Sequence, residues 1–126
     1  MKKNFYKKKV SLLLLCNVDP KNVIHTKRKN IEDRISDFEK SLPFWLSLDL
    51  FKNIIVIENS NFKGDLFKKH IRQSTNKKNI ELMIYDGQKY NRKLGKGYGW
   101  YKQIDKILKM SKFAKRSEYF VFVTGR

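Results

Sequence analysis

The chain has few of the features that stabilise a small protein covalently or anchor it in a membrane. Its 126 residues include one cysteine, Cys16, so an internal disulfide is excluded, and no Cys/His cluster has the spacing of a zinc site. No apolar run approaches the ~20 residues that a membrane-spanning helix needs. We therefore expect a protein of a reducing cytoplasm.

A secretory signal is also poorly supported. Three lysines followed by Val10–Cys16 imitate a lipoprotein signal, but the apolar run is short and Leu15 stands where a small residue should precede the cleavage site. We interpret residues 1–9 as a basic N-terminal segment. Residues 10–126 are then long enough for one hydrophobic core and too short for two.

Acidic residues are scarce. Twelve Asp and Glu stand against 29 Lys and Arg, which gives a formal net charge of +17. The positive electrostatic field of such a chain attracts nucleic acid, anionic lipid headgroups and the diphosphate of a sugar nucleotide alike, so the charge does not identify the partner. Lys, Asn, Ile and Phe are abundant together, so biased codon use is an alternative explanation for much of the charge.

Four short apolar runs predict buried strands, because none of them alternates between apolar and polar residues. Segments with helical spacing separate them. Pro43 interrupts the first of these segments and predicts a kink or a division into two helices. This order predicts an α/β fold, a Rossmann-like three-layer and mostly parallel sheet. The predicted strands are 10–18, 54–58, 80–85 and 119–123, and the predicted helices are 31–46, 66–71 and 101–111.

Ligands of such sheets bind beyond the carboxyl ends of the strands. One candidate there is a glycine-rich loop over residues 94–99, in which Lys96 and Gly97 precede a helix whose N-terminal amides favour an anion. It matches neither the Walker pattern nor the dinucleotide fingerprint. A flexible turn with no ligand is the alternative.

A second candidate is the sequence Glu58-Asn59-Ser60, which ends the second predicted strand. Its side chains can form hydrogen bonds with a base or a ribose, or can cap the next element. Arg34 lies near apolar positions of the first predicted helix, where a solvated face is the default interpretation. His70 is expected to be a packed residue rather than a ligand.

These elements resemble, in order and spacing, a family of bacterial glycosyltransferases of capsular and surface-polysaccharide synthesis. The resemblance implies a Rossmann-like domain that binds a nucleotide sugar, with Glu58 and Asn59 facing the nucleoside and Arg34, Lys96 and Arg126 facing the diphosphate. It rests on Pro20, Thr26, Arg34, the strand 54–57 with Glu58-Asn59-Ser60, the glycine-rich stretch 94–99, Ser111-Lys112-Phe113 and Val123-Thr124-Gly125-Arg126.

Three departures from the family pattern limit what can be carried over. Trp100 stands where an acidic residue is expected, and Phe122 where a basic residue is expected. Such enzymes also continue well beyond the Thr-Gly-Arg sequence, so the resemblance predicts a truncated chain, inactive alone, whose acceptor site and catalytic base are missing. No Asp-x-Asp is present, so either the donor site needs no divalent metal or the metal ligands lie further on.

Other partners remain open. The lysine-rich start and the aromatic residues Tyr98, Trp100 and Tyr101 are compatible with a nucleic-acid-binding module. The same basic start is compatible with a peripheral tether to the anionic inner membrane, which a glycosyltransferase could also use. A split enzyme would need a C-terminal partner fragment.

Overall fold

A four-stranded parallel sheet forms the centre of the molecule, as the sequence predicted. In the computed structural model, which describes residues 2–21 and 30–125 and only the backbone of residues 2–4, 92 and 96, the strand order is β3-β2-β1-β4. All three strand pairs are parallel. The strands are β1 (Val10–Cys16), β2 (Asn53–Glu58), β3 (Ile80–Ile84) and β4 (Tyr119–Thr124).

Helices cover both faces of the sheet, so the α/β three-layer prediction is confirmed. They are α1 (Lys2–Lys9), α2 (Ile31–Leu46), α3 (Leu66–Gln73) and α4 (Gly95–Met110), with single 3₁₀ turns at Lys77–Asn79, Arg92–Leu94 and Ala114–Arg116. Helices α2 and α3 pack on one face, and α4 packs on the other.

The two central strands explain why the apolar runs do not alternate. Every residue of β1 and β2 is buried. Leu12 and Leu14 contact the layer that contains Phe38 of α2, whereas Leu13 and Leu15 contact the layer that contains Ile107 of α4. A strand covered on both sides needs apolar side chains at every position.

Helix α2 is one continuous helix, so the predicted division at Pro43 is wrong. Asn30 caps its start by accepting a hydrogen bond from the backbone N–H of Asp33 at 3.1 Å. Pro43 lies one turn before the end at Leu46. The proline removes only its own N–H from the helix, and Leu42 and Leu46 on either side of it are fully buried.

The glycine-rich stretch is the clearest correction to the sequence analysis. We predicted a loop over 94–99, but α4 begins at Gly95, so Lys96, Gly97 and Gly99 belong to its first two turns. Gly95 has φ +79°, which glycine adopts without strain. At Gly99 a Cβ would come within 2.8 Å of the Tyr90 hydroxyl oxygen, so the glycine permits that close approach.

The basic segment at the start of the chain is also helical. Helix α1 runs directly into β1, and its aromatic residues pack on the sheet, with ring centroids 5.4 Å apart for Phe5 and Tyr119 and 6.2 Å apart for Tyr6 and Phe51. Lys7 forms an ion pair with Asp49. Residues 5–9 therefore contact the domain through defined side chains.

Candidate functional site

The carboxyl ends of the strands form the edge where a ligand of this fold class is expected. Three segments meet there: residues 17–20 after β1, residues 59–62 after β2, and residues 85–88 after β3. Backbone hydrogen bonds join the last two, from Gly87 N–H to the Asn59 carbonyl at 2.9 Å and from Asn61 N–H to the Tyr85 carbonyl at 3.0 Å. The predicted grouping of these segments is therefore observed.

The carboxylate of Glu58 organises this edge. It is fully buried, and it accepts backbone N–H hydrogen bonds from Val18 at 2.9 Å, Ser60 at 3.0 Å and Phe62 at 2.9 Å. The Ser60 hydroxyl donates to the same carboxylate. A buried carboxylate with this many donors fixes the ends of two strands relative to each other.

Two buried glutamines extend the same network, and the sequence analysis missed both. Gln103 of α4 donates to the carbonyls of Cys16 at 2.8 Å and Ile57 at 3.3 Å, bridging the ends of β1 and β2. Gln88 donates to the Asp19 carbonyl at 2.5 Å. The sequence could have indicated that Gln103 is buried, because it lies four residues before Ile107 and therefore on the same, buried face of α4.

Arg34 lies inside the protein rather than on the solvated face that we took as its default. Its side chain is 5% exposed, and both Nε and one terminal nitrogen donate to the Asn17 carbonyl, at 2.8 and 2.6 Å. This contact holds the chain just after β1. Arg34 thus fixes the position of the first residue of the segment 17–20 through the backbone carbonyl of Asn17.

Asn59 carries a buried side-chain oxygen without a donor at this edge. The residue is 3% exposed, and its side-chain Oδ1 has no hydrogen-bond partner. An unpaired buried carbonyl oxygen costs about 1 to 3 kcal/mol. Such a group is retained more readily where a ligand supplies the donor.

Helix α4 extends past the sheet edge. Gln103 contacts the last residues of β1 and β2, so the helical residues before it, which run antiparallel to the strands, continue beyond the strand ends. At 1.5 Å per residue, Gly95 lies roughly 12 Å further along the axis than Gln103. The N-terminal amides of α4 consequently lie beyond the carboxyl edge of the sheet.

Of the remaining predicted site residues, the structure describes Gly97 and the backbone of Lys96. Lys96 and Gly97 lie in the first turn of α4, and a Cβ at Gly97 would meet nothing within 4 Å. The side chain of Lys96, and all of Thr26 and Arg126, lie outside the described residues. Trp100 is 40% exposed on the same helix.

The end of β4 packs tightly against the end of β1. Gly125 N–H donates to the Leu15 carbonyl at 3.0 Å, and a Cβ at Gly125 would approach the Cys16 sulfur to 2.5 Å. Burial raises the pKa of the Cys16 thiol, and the nearby Glu58 charge raises it further. Cys16 is therefore a protonated packing residue and not a nucleophile.

His70 is also a packing residue, as the sequence suggested. It is 9% exposed, and its Nε2 lies 3.2 Å from a carboxylate oxygen of Glu39. Lys69 donates to the same oxygen at 2.7 Å. These contacts join α2 to α3 on the face of the sheet opposite α4 and have no part in the carboxyl edge.

Comparison with known proteins finds no family model, no curated protein and no solved structure that matches the chain. The resemblance to surface-polysaccharide glycosyltransferases stays a prediction. Within residues 2–21 and 30–125, no group of three or more His, Cys, Asp or Glu side chains could hold a metal ion. The helices of that part of the chain are all too short or too polar to cross a membrane.

Proposed function

We propose that the chain is the nucleotide-sugar-binding part of a glycosyltransferase that acts in bacterial surface-polysaccharide synthesis. The observation that carries the proposal is the position of α4, whose N-terminal turn stands beyond the ends of β1 and β2, next to a buried network that holds the strand ends in place. Backbone amides at a helix start bind the oxygens of a phosphate group.

Two further observations support a nucleoside diphosphate in particular. The Asn59 Oδ1 needs a donor, and the imide or amide N–H of a nucleobase is one. Tyr90, Tyr98 and Tyr101 form a row of contacting rings at the start of α4, with centroids 5.1 and 5.9 Å apart. Tyr101 is 59% exposed and offers a face on which a base could stack.

The roles differ somewhat from those implied by the resemblance. Glu58 and Arg34 bind the chain's own backbone, so we assign them to shaping the edge rather than to contacting the ligand. Asn59 faces the nucleoside in this proposal, and Lys96, Gly97 and Arg126 contact the diphosphate.

Calorimetric titration with UDP, GDP and CMP tests the proposal. Lys96→Ala should weaken nucleotide binding about tenfold, because a charge-assisted contact is worth roughly 1.5 to 3 kcal/mol. Lys68→Ala is the matched control, since Lys68 is exposed on α3, on the opposite face of the sheet. Equal losses from both substitutions would contradict the assignment.

Calorimetric titration also distinguishes the donor site from a nucleic-acid-binding module. The exposed aromatic residues Trp100 and Tyr101 are compatible with such a module. That function predicts tight binding of a single-stranded oligonucleotide, a steep fall of its affinity with salt and poor competition by free nucleotides. Nucleotide binding with modest salt dependence would support the donor site instead.

A further inference from the structure

A separate cavity lies between the segment after β3 and the second half of α4. Its volume is about 370 Å³, within the range of small-molecule sites. Residues 85–87, 89 and 90 form one wall, and Lys102, Lys106 and Met110 of α4 are on the other. Of the described residues invoked for nucleotide binding, Asn59, Gly97 and Tyr101 do not line it, whereas Tyr90, the first ring of the row at the start of α4, does.

The charges around this cavity are only partly balanced. Lys109 pairs with Asp105 at 3.0 Å, and Lys89 lies 3.6 Å from Asp86. Lys102 and Lys106 also line the cavity and have no carboxylate partner among the described residues. Two uncompensated cations on one wall favour an anionic ligand.

Tyr85 adds a polar group to the same wall. Its hydroxyl is buried without a hydrogen-bond partner in the described part of the chain, and Lys106 Nζ lies 5.1 Å from the ring centroid. Burial, reinforced by the Glu58 charge, raises the pKa of Tyr85 to about 12. The phenol therefore keeps its proton at neutral pH and has an unused O–H donor in a residue that lines the cavity.

The two carboxylates restrict which anion fits. Asp86 and Asp105 line the cavity beside the lysines, and they would repel a continuous run of phosphates. Carboxylates accept hydrogen bonds from hydroxyl groups. A ligand that combines one phosphate with several hydroxyls satisfies both sets of groups.

We propose that this cavity binds a small phosphorylated polyhydroxy compound, with its phosphate held by Lys102, Lys106 and the Tyr85 hydroxyl and its hydroxyl groups held by Asp86 and Asp105. The site is separate from the α4 N-terminus and does not depend on the proposed glycosyltransferase function. Among phosphorylated compounds, the chemistry is that of a sugar phosphate.

The test is a titration of the full chain with glucose 1-phosphate, inorganic phosphate or glucose. Binding is monitored through the ¹⁵N-resolved NMR signals of the backbone amides. Glucose 1-phosphate should bind more tightly than either other probe and should shift the amides of residues 85–89 and 102–109. Lys106→Met and Lys102→Met should each weaken this binding about tenfold. Tyr85→Phe, which leaves the net charge unchanged, should weaken it about fivefold.

Lys40→Met is the matched control, because Lys40 is exposed on α2, another helix of 16 residues on the opposite face of the sheet. It removes the same charge and should leave the affinity unchanged. Equal effects of Lys40→Met and Lys106→Met would overturn the proposal. So would equal affinities for inorganic phosphate and glucose 1-phosphate, preferential binding of an oligonucleotide, or amide shifts confined to residues 95–98.

The variants separate loss of the site from loss of the fold. Lys102, Lys106 and Lys40 are all at least partly exposed, so their methionine variants should keep the wild-type melting temperature. If Tyr85→Phe unfolds, the two lysine variants still decide the question. The nucleotide titration is independent, because it depends on residues at the start of α4.

Discussion

The side chain of Glu58, the last residue of β2, accepts the backbone N–H of Val18, which follows β1, at 2.9 Å. The two residues are forty positions apart in the chain. Because the carboxylate also accepts hydrogen bonds from the N–H groups of Ser60 and Phe62, one side chain sets the shape of two turns at the carboxyl edge of the sheet.

We predict that Glu58→Gln destabilises the protein by about 3 kcal/mol. The amide keeps the size of the side chain, but its NH₂ group would face a backbone N–H that then has no acceptor, and an unsatisfied buried donor costs about 1 to 3 kcal/mol in addition to the lost charge. Urea unfolding measures the change. Ser60→Ala removes one hydroxyl donor and the acceptor of the part-buried Asp19 N–H at 3.2 Å, and it should cost less, about 1 kcal/mol. A smaller loss for Glu58→Gln than for Ser60→Ala would contradict the role given to the carboxylate.

Gly125 provides a second test of the same edge. We predict that Gly125→Ala destabilises the fold by about 1 to 3 kcal/mol, because its Cβ would lie 2.5 Å from the Cys16 sulfur. In the double variant with Cys16→Ala the obstructing sulfur is gone. The double variant should therefore be more stable than the sum of the single effects allows, by about 1 kcal/mol in thermal or urea unfolding. Strict additivity would show that the sulfur is not what excludes a side chain at Gly125.

The sheet could be predicted because its signals are local. Each of the four apolar runs matches a strand to within a few residues. The absence of alternation correctly indicated that both faces of β1 and β2 are covered, but the same prediction is wrong for β4, which is mostly exposed, and only partly right for β3, which is half-buried. The strand order β3-β2-β1-β4 was not predicted, because parallel pairing and crossover connections allow more than one order. The carboxyl edge could be located from the same local signals as the strands.

The chemistry of that edge was less predictable, because it depends on contacts between residues far apart in the chain. Glu58 looks like a ligand-binding residue in sequence, and only the positions of Val18 and Phe62 reveal that its carboxylate is already bonded to the backbone. Gln103 looks like an ordinary polar position of an amphipathic helix. Glycine propensity alone suggested a loop at Gly95, Gly97 and Gly99, where packing and the following apolar periodicity produce a helix.

The exposed strand β4 leads to the last prediction. Among the described residues it pairs with β1 alone, and Tyr119, Val121 and Phe122 are 52, 39 and 54% exposed. Exposed apolar edge strands promote association between copies, whereas the net charge of +17 opposes it. We therefore predict self-association that increases with salt, because the screening length falls from about 10 Å at 0.1 M to about 3 Å at 1 M.

Sedimentation velocity at the two salt concentrations, with two variants of equal charge, tests this origin of the association. Val121→Lys places a cation on the edge strand and should keep the protein monomeric at high salt. Leu108→Lys adds the same charge at a residue that is 50% exposed on α4, away from β4, and should associate like the wild type apart from the general effect of one more charge. If both variants associate to the same extent, the +17 field and not the β4 edge controls the behaviour. Association that weakens as salt is added would point to an electrostatic contact and would also rule out the edge strand as its cause, because pairing between apolar strands of like-charged copies is favoured by screening.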